Sequence, residues 1–450
     1  MPDAAASAPR AQWKTRRGFI LAALGAAIGI GNIWRFSYVM GENGGGAFLL
    51  VYFAVVLIVG VPMLLGELAL GRAARREAAS AFALIGRSQP WRRAGLLGVA
   101  ASFAILTYYG VISGWALKYF GDFATWTHPA RDGLALAHFN AFTSSLLAPL
   151  VWHALALSLA LAIVAGGIER GIERACNWLM PALALIVVAL ALHSLTLPNA
   201  WRGLAYLFAP DWAAFARPQL YLAALGQAFF SLGLAMGVLV TYGSYIPDST
   251  RLPAAALTIA LGDTLFAVLA AVVIFPAVFS FGMNPAQGPA LAFVVLPEIF
   301  WRMTAGEVVG IAFFGLLVIA AMTSLVALLE ISISYLHESW GVGRGRAIAT
   351  VGAAAFALGL PSSLGFGALA DVRIAGQPIL DAVDFAASNV LLPLSGLAVA
   401  LFIGWHWRGA DALGAVGVRS TALRRLWRFA MRYAAPAMIV VVVLRGLSLV

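Results

Sequence analysis

Long apolar runs alternate with short polar segments along almost the whole chain. A helix of about 20 apolar residues crosses the ~30 Å hydrocarbon layer of a bilayer, and eleven runs are candidates for such a helix. In chain order, spans one to eleven lie near residues 18–40, 46–71, 95–121, 148–166, 175–196, 220–245, 254–281, 308–338, 346–361, 382–406 and 430–448. The pattern predicts an all-α polytopic membrane protein of 11 transmembrane helices in one domain. The longest loops, near 122–147, 197–219 and 282–307, have room for short helices.

Composition supports a membrane protein and excludes several soluble classes. The chain is 62% hydrophobic and only 11% charged, whereas charged residues make up about a quarter of a typical globular chain. This balance excludes a cytosolic enzyme, a disordered tail protein and a disulfide-built secreted domain. The single cysteine, Cys176, cannot form an intramolecular disulfide and cannot by itself hold a metal.

The net charge of +10 is a topology signal rather than a nucleic-acid footprint, because the basic residues are unevenly divided between loops. The N-terminal tail and the even-numbered loops carry 21 of the 29 lysines and arginines. Basic loops tend to stay in the cytoplasm. We therefore expect a multi-pass protein of the cell (inner) membrane, surrounded by lipid, with a cytoplasmic N-terminus, an external C-terminus and no nucleic-acid partner.

Two spans contain glycine clusters that favour unwinding. Span one has three glycines within residues 25–31 and span six has two within 233–237, and each weakens a helix by about 1 kcal/mol relative to alanine. Small residues also allow close helix packing, so one glycine alone decides little. The clusters, however, lie in the first helix of two five-span blocks, 18–196 and 220–406. Broken helices in matching blocks predict a transporter built from inverted repeats, with 430–448 as an added helix.

Short motifs in these spans carry a family resemblance. They are WKTR at 13–16, GIGNIWRF at 29–36, ENGGGAF at 42–48, GVP at 60–62, GQAFFS at 226–231, TYGSY at 241–245 and TS at 323–324. In this order they resemble the neurotransmitter:sodium symporter family, in its prokaryotic amino-acid transporter branch, over nearly the whole chain. The resemblance implies a sodium-coupled symporter that works by alternating access. Its implied fold is the 5+5 inverted repeat of the bacterial leucine transporter, with helices 1 and 6 broken.

The resemblance also implies two sodium ions and no organic cofactor. Sodium is a hard cation that carbonyl, hydroxyl and carboxylate oxygens satisfy. Carried over by motif, sodium site 1 comprises Ala27, Asn32, Ser231 and Asp263, and sodium site 2 comprises Gly25, Ile28, Ala320, Thr323 and Ser324. For the two hydroxyl side chains of site 2, the alternative is hydrogen bonding back to their own helix.

A substrate pocket and two gates follow from the same resemblance. The implied pocket residues are Ala27, Gly29, Gly31, Ile105, Tyr109, Phe230, Ser231, Gly233, Met236 and Leu328. The implied outer gate is the pair Arg35 and Asp384 with Phe230 as its lid, and the implied inner gate is Arg10 and Glu338 with Trp13 and Tyr245 nearby. A buried, isolated arginine would be costly, so a partner for the outer-gate arginine is expected on physical grounds too.

Gly29 indicates the substrate class. Monoamine transporters of the family have an aspartate at the matching position, which pairs with the ammonium group of the ligand. A glycine leaves room for a substrate carboxylate, which can contact the sodium ion at Asn32 and the open amides of span one. The side-chain part of the pocket is apolar apart from the Tyr109 hydroxyl. The expected substrate is therefore a neutral, hydrophobic or aromatic amino acid.

Asp263 and Ala267 bear on chloride. Chloride-dependent relatives have Asn and Ser at these positions, beside residues that match Tyr52, Gln227 and Ser231. An ionised Asp263 would supply fixed negative charge where chloride otherwise sits, so chloride is not expected as a co-substrate. The alternative is a protonated Asp263 that only donates a hydrogen bond, because burial favours the neutral acid.

Four further positions carry expectations. Ser37 replaces the proline usual after Arg-Phe, so the outer half of span one is expected to lose a fixed kink. Ala235 replaces the first glycine of the usual span-six triplet, which is expected to narrow the unwound backbone or restrict bulky substrates. Glu67 and Glu330 are expected to be structural, satisfying loop or helix-end amides.

Two other function classes compete with a transporter. An intramembrane enzyme needs paired acidic clusters for Mg²⁺ or a His/Ser/Asp set at membrane depth. The six histidines are scattered and no Asp-rich metal motif occurs, so the chain is not predicted to be an enzyme. A channel or a non-transporting amino-acid sensor on the same scaffold stays open, because either could keep the ion ligands.

Overall fold

The computed structural model describes residues 11–125, 127, 134–284 and 291–446, apart from the side chains of 445 and 446, and this part is a bundle of long helices. Nine continuous helices in it are long and apolar enough to cross a membrane. They are span two (Gly46–Ala74), span three (Gln89–Ala124), span four (Ala148–Ala165), span five (Gly167–Leu195), span seven (Leu252–Ser280), span eight (Gly306–Trp340), span nine (Arg344–Leu364), span ten (Ile379–His406) and span eleven (Thr421–Leu444). The predicted class, an all-α polytopic membrane protein, is confirmed.

Spans one and six are broken, as the glycine clusters predicted. Span one consists of helix 1a (Arg16–Ala27) and helix 1b (Ile30–Glu42), which are bent by 46°. Span six consists of helix 6a (Pro218–Ser231) and helix 6b (Val238–Gly243), each too short to cross a bilayer alone. Length and composition of the described helices therefore support nine or ten crossings, which is consistent with the eleven predicted.

The two breaks have different backbone conformations. In span one only Ile28 and Gly29 leave the helix, both with extended backbone, so the break is shorter than the glycine cluster. Between helices 6a and 6b, Gly233, Ala235 and Gly237 have φ angles of +61°, +63° and +77°. This left-handed conformation costs a non-glycine residue about 1–2 kcal/mol. The surrounding side chains must therefore hold Ala235 in place.

Shorter elements fill the longest loops, as their length predicted. These loops hold the helices Ala135–Ser144, Ala200–Phe208 and Leu296–Arg302. The other short elements are the α-helices Ala78–Gly86 and Gly409–Val416, the 3₁₀ helix Trp212–Ala216, the π-helix Leu291–Val295 and the antiparallel strands β1 (Arg373–Ile374) and β2 (Gln377–Pro378). Within the long spans, π-helical turns occur at Val56–Gly60, Gly167–Glu173, Ala386–Leu391, Phe402–His406 and Ala430–Ala434.

The most buried spans lie at the centre of the bundle. Spans three and eight are the most buried of the nine continuous helices, and span eleven is the least buried. Helix 1b continues past Ser37, whose hydroxyl donates to the Ile33 carbonyl 2.7 Å away. We call the end of the bundle at which Trp13 lies the inner end and the opposite end the outer end.

Small residues hold span two against helix 6b. A Cβ atom added to Gly71 of span two would lie 2.0 Å from the Val240 carbonyl oxygen of helix 6b. A Cβ added to Gly243 of helix 6b would lie 2.8 Å from the Leu68 carbonyl oxygen of span two. The two backbones thus approach so closely that only hydrogen fits between them, which is the small-residue packing common in membranes.

We expect Gly71→Ala to destabilise the protein, because its methyl group would force span two and helix 6b apart. Overpacking of this kind costs about 1–3 kcal/mol. Thermal unfolding in detergent, followed by tryptophan fluorescence, measures the effect. Gly226→Ala in helix 6a is the matched control, since a Cβ there has no heavy atom within 4 Å. Equal melting temperatures for the two variants would contradict this account of the packing.

Candidate functional site

A small pocket lies where the two breaks face spans three and eight. Its volume is about 40 Å³. Nine of the ten predicted substrate residues line it, namely Ala27, Gly29, Gly31, Ile105, Tyr109, Phe230, Gly233, Met236 and Leu328. The tenth, Ser231, lies behind the pocket wall, where it bonds to Asn32 and Asp263. The structure therefore brings together residues that are up to three hundred positions apart in the chain.

One end of the pocket is formed by the break in span one. The Ile30 N–H donates to the Tyr109 hydroxyl oxygen at 3.0 Å. A Cβ added to Gly29 would lie 2.8 Å from both the Tyr109 hydroxyl and the Ser324 hydroxyl. The sequence analysis expected this hydroxyl in the side-chain part of the pocket. In the structure it lies at the break in span one, because the free Ile30 amide at the start of helix 1b attracts it.

The other end of the pocket is apolar. Ile105, Met236 and Leu328 line it, and a Cβ on Gly233 would have no heavy atom within 4 Å. Three lining residues were missed by sequence reasoning: Ala26, Val238 and Ala327. The last could have been found, since it lies three residues after Ser324 and so shares its helix face.

A polar cluster at predicted sodium site 1 joins spans one, six and seven. The Asn32 side-chain nitrogen donates to the Ser231 hydroxyl at 2.8 Å and to the Asp263 carboxylate at 2.6 Å. The Ser231 hydroxyl donates to the same carboxylate at 2.7 Å, and the Tyr52 hydroxyl lies 3.5 Å from it. The Asn32 oxygen accepts the Gly29 N–H at 3.0 Å. The fourth predicted ligand, Ala27, ends helix 1a.

The five residues of predicted sodium site 2 converge between helix 1a and span eight. The Ser324 hydroxyl lies 3.4 Å from the carbonyl oxygens of both Gly25 and Ile28. The Thr323 hydroxyl donates back to the carbonyls of Ile319 and Ala320, at 3.2 and 3.1 Å. Back-bonding, the alternative considered for these hydroxyls, is therefore present for Thr323, whereas Ser324 faces across the helix interface.

A larger cavity of about 340 Å³ lies on the outer side of the pocket. Aromatic side chains dominate its walls, among them Trp34, Tyr108, Trp115, Phe139, Phe293 and Phe366. Gly31, Tyr109 and Phe230 line both cavities, so Phe230 stands between the pocket and the outer cavity. This is the position that the predicted lid requires.

The predicted outer-gate pair is not joined in this conformation. Arg35 donates to the Gln227 side-chain oxygen at 3.1 Å and lies 4.8 Å from the Phe230 ring centroid. Asp384 accepts from the hydroxyls of Tyr108 and Ser388, at 2.6 and 2.9 Å. Both charged groups line the outer cavity, but no ion pair between them occurs among the described residues. Each side chain, half-buried at the wall of this cavity, has found other partners.

The inner end is closed by the start of the described chain. Trp13 is buried, and its ring nitrogen and backbone N–H donate to the carbonyls of Tyr242 and Tyr245, at 3.1 and 3.0 Å. Glu338 accepts from the Glu77 N–H at 3.1 Å. Arg10, the predicted partner of Glu338, lies outside the described residues. The placement of that inner-gate pair therefore stays a prediction.

Side chains satisfy the unwound backbone of span six. Glu67 accepts the Ala235 N–H at 2.8 Å, and Ser395 donates to the Ala235 carbonyl at 2.6 Å. Ser102 donates to the Met236 carbonyl. Glu67 therefore satisfies an open amide, as expected. That amide belongs to Ala235, the residue with the left-handed backbone.

Three comparisons relate the chain to known proteins. The model of the sodium:neurotransmitter symporter family matches residues 10–132 and 141–449. The uncharacterised sodium-dependent transporter YhdH of Bacillus subtilis is 37% identical over 440 residues, covering 96% of this chain and 97% of that protein. A sodium-dependent transporter of Haemophilus influenzae is 33% identical over 450 residues, covering 97% and 98%. The crystal structure of MhsT in complex with L-phenylalanine matches with a TM-score of 0.91 and 48% identity, covering 97% of this chain and 100% of that one.

Glu67→Ala is expected to destabilise the protein, because it leaves the buried Ala235 N–H without an acceptor. An unsatisfied buried group of this kind costs about 1–3 kcal/mol. Glu67→Gln is the matched control, since its side-chain oxygen still accepts the amide. The melting temperature in detergent should fall for alanine and stay nearer the wild-type value for glutamine. If glutamine were as damaging as alanine, the hydrogen bond would not be the role of Glu67.

Proposed function

The chain belongs to the sodium:neurotransmitter symporter family, and we propose that it imports a neutral, hydrophobic or aromatic amino acid together with sodium by alternating access. Family and fold are those of sodium-dependent transporters rather than of enzymes. One arrangement carries the substrate part of the proposal: both helix breaks open onto one pocket, polar at its span-one end and apolar at the other.

The span-one end suits a carboxylate. It combines the backbone N–H groups at the start of helix 1b with the Tyr109 hydroxyl, and helix N-termini favour negative charge. An aspartate at position 29 would collide with Tyr109 and Ser324 as they stand, which argues against a monoamine pocket. MhsT was crystallised in complex with L-phenylalanine, and this supports an apolar or aromatic side chain for the substrate here.

The pocket must widen to admit such a substrate. A single water needs about 10–15 Å³ of comparable volume, so 40 Å³ holds only a few atoms. Phe230 and Met236, both from span six, line the pocket, and Phe230 also lines the outer cavity. We expect both side chains to move, because methionine adopts many rotamers and Phe230 borders open volume.

We propose that two sodium ions bind, at the two sites assigned above. Site 1 offers a carboxylate and a hydroxyl, and site 2 offers carbonyl and hydroxyl oxygens, which are the ligands of a hard cation. An ion at site 1 would require the Asn32 carboxamide to turn its oxygen toward Asp263. That rotation releases the Gly29 N–H, which then becomes free to donate to a substrate carboxylate. Sodium and substrate binding are coupled in this way.

Chloride independence is proposed from the surroundings of Asp263. Its carboxylate accepts hydrogen bonds from Asn32 and Ser231 and lies near the Tyr52 hydroxyl. A carboxylate at this position supplies the negative charge that would otherwise come from a bound anion, and it repels such an anion.

Orientation and internal symmetry complete the proposal. We place the protein in the cell (inner) membrane with the inner end of the bundle in the cytoplasm, so the C-terminus is external. We propose that residues 18–196 and 220–406 are the two inverted repeats. The predicted span 430–448, of which residues 447 and 448 lie outside the described chain, would be an added helix. In this conformation the outer cavity reaches Phe230 while Trp13 closes the cytoplasmic end.

Uptake into proteoliposomes tests the proposed transport. With an inward sodium gradient, labelled phenylalanine should accumulate above its external concentration, and this should stop when potassium replaces sodium or an ionophore collapses the gradient. Empty liposomes are the control. A channel would only equilibrate the amino acid, and a sensor would bind it without uptake, so either result would contradict the proposal.

Asp263→Asn should make transport responsive to chloride and weaken sodium activation, because a fixed negative charge is lost. We expect the half-saturating sodium concentration to rise by about tenfold, as for a lost charge-assisted contact. Uptake is compared in chloride and gluconate. Asp381→Asn in the outer cavity is the matched control and should stay indifferent to chloride. Unchanged sodium activation together with chloride indifference in Asp263→Asn would refute this role.

A further inference from the structure

Glu173 of span five is a nearly buried carboxylate that contacts the start of span one. It accepts the Lys14 N–H at 2.7 Å, the Thr15 N–H at 3.1 Å and the Thr15 hydroxyl at 2.8 Å. A Cβ added to Gly18 would lie 2.0 Å from the same carboxylate, so the acid packs directly against the first turn of helix 1a. The side chain therefore makes three hydrogen bonds across one helix interface.

The charge of Glu173 suits this position. Thr15 is the N-cap of helix 1a, and its hydroxyl accepts the Gly18 N–H at 2.8 Å. The carboxylate thus lies at the positive end of the helix dipole and binds the backbone N–H groups of the two residues that precede helix 1a. Hydrogen bonds to a charged acceptor are stronger than neutral ones. Nearby, the Lys14 ammonium lies 3.4 Å from Glu169, but both of those side chains are largely exposed, so that pair contributes little.

The face of span five that carries Glu173 packs against helix 1a beyond its first turn. Cys176 and Met180 follow Glu173 by three and seven residues, a spacing that keeps all three on one helix face. The Met180 sulfur would lie 3.1 Å from a Cβ on Gly25 of helix 1a. Cys176, between these two contacts, is buried and is the only cysteine in the chain. The accessibility of its thiol to a labelling reagent should therefore increase when helix 1a separates from span five.

We propose that Glu173 is a positioning residue that holds the start of helix 1a against span five and so keeps the cytoplasmic end closed. The inference rests on the proposed function, because alternating access requires this end to open during each cycle. Trp13 is bound to helix 6b on the other side, whereas the buried side chain of Glu173 supplies hydrogen bonds to span five. Opening must break its three hydrogen bonds, and the loss of its charge shifts the population toward the open state.

The labelling rate of Cys176 by a water-soluble maleimide tests the proposal, in full-length protein in detergent well below its melting temperature. Glu173→Gln removes the charge while keeping the side-chain size, and we expect about tenfold faster labelling. Thr15→Ala removes one of the three hydrogen bonds together with the N-cap contact to Gly18, and it should act in the same direction with a smaller effect. Glu169→Gln is the matched control and should stay within about twofold of the wild-type rate.

The labelling rates of the variants distinguish a role of Glu173 from its absence. Wild-type labelling in Glu173→Gln, or equal acceleration in Glu169→Gln, would overturn the role of Glu173. If Glu173→Gln does not fold, faster labelling of Thr15→Ala supports the proposal and an unchanged rate overturns it. Labelling of the wild type with sodium and phenylalanine, compared with potassium, tests transport separately. If the variants label faster but sodium and phenylalanine do not slow labelling of wild-type Cys176, the positioning role of Glu173 would stand. The proposed function would then be contradicted.

Discussion

The whole site depends on one constraint: backbone N–H and C=O groups within a membrane must find hydrogen-bond partners inside the protein. Spans one and six each release such groups by unwinding, at Ile28 and Gly29 and at residues 232–237. A helix break in the centre of an apolar bundle is stable only if those groups are satisfied. The same groups therefore destabilise the fold when unpaired and, in the proposed function, bind the ligands.

The two breaks meet this constraint differently. Around span six, the side chains of Glu67, Ser102 and Ser395 bind the backbone of residues 235 and 236 from three other spans, which fixes that segment. Around span one, the partners are Asn32, Tyr109 and Ser324, which also border the pocket. Residues outside the pocket lining thus hold the span-six break, whereas residues that line the pocket hold the span-one break. We regard this division as the basis of coupling between sodium and substrate.

Hydropathy and glycine placement predicted a polytopic helical protein and both broken helices, and the family resemblance supplied nine residues that line the small pocket. They could not locate the Tyr109 hydroxyl, because its partner, the Ile30 amide, is exposed only by the bend in span one. They also suggested direct pairing of Arg35 with Asp384, whereas each found another partner across an open cavity. Such choices depend on conformation, which a pattern of residue types does not specify.

The central claim is that sodium and an amino acid bind at adjoining sites created by the broken helices, and binding linkage tests it most directly. Calorimetry should measure phenylalanine affinity at increasing sodium, with potassium keeping the ionic strength constant. The account predicts that sodium tightens phenylalanine binding, and that phenylalanine tightens sodium binding by the same factor, as linkage requires. Equal phenylalanine affinity in sodium and in potassium would contradict it.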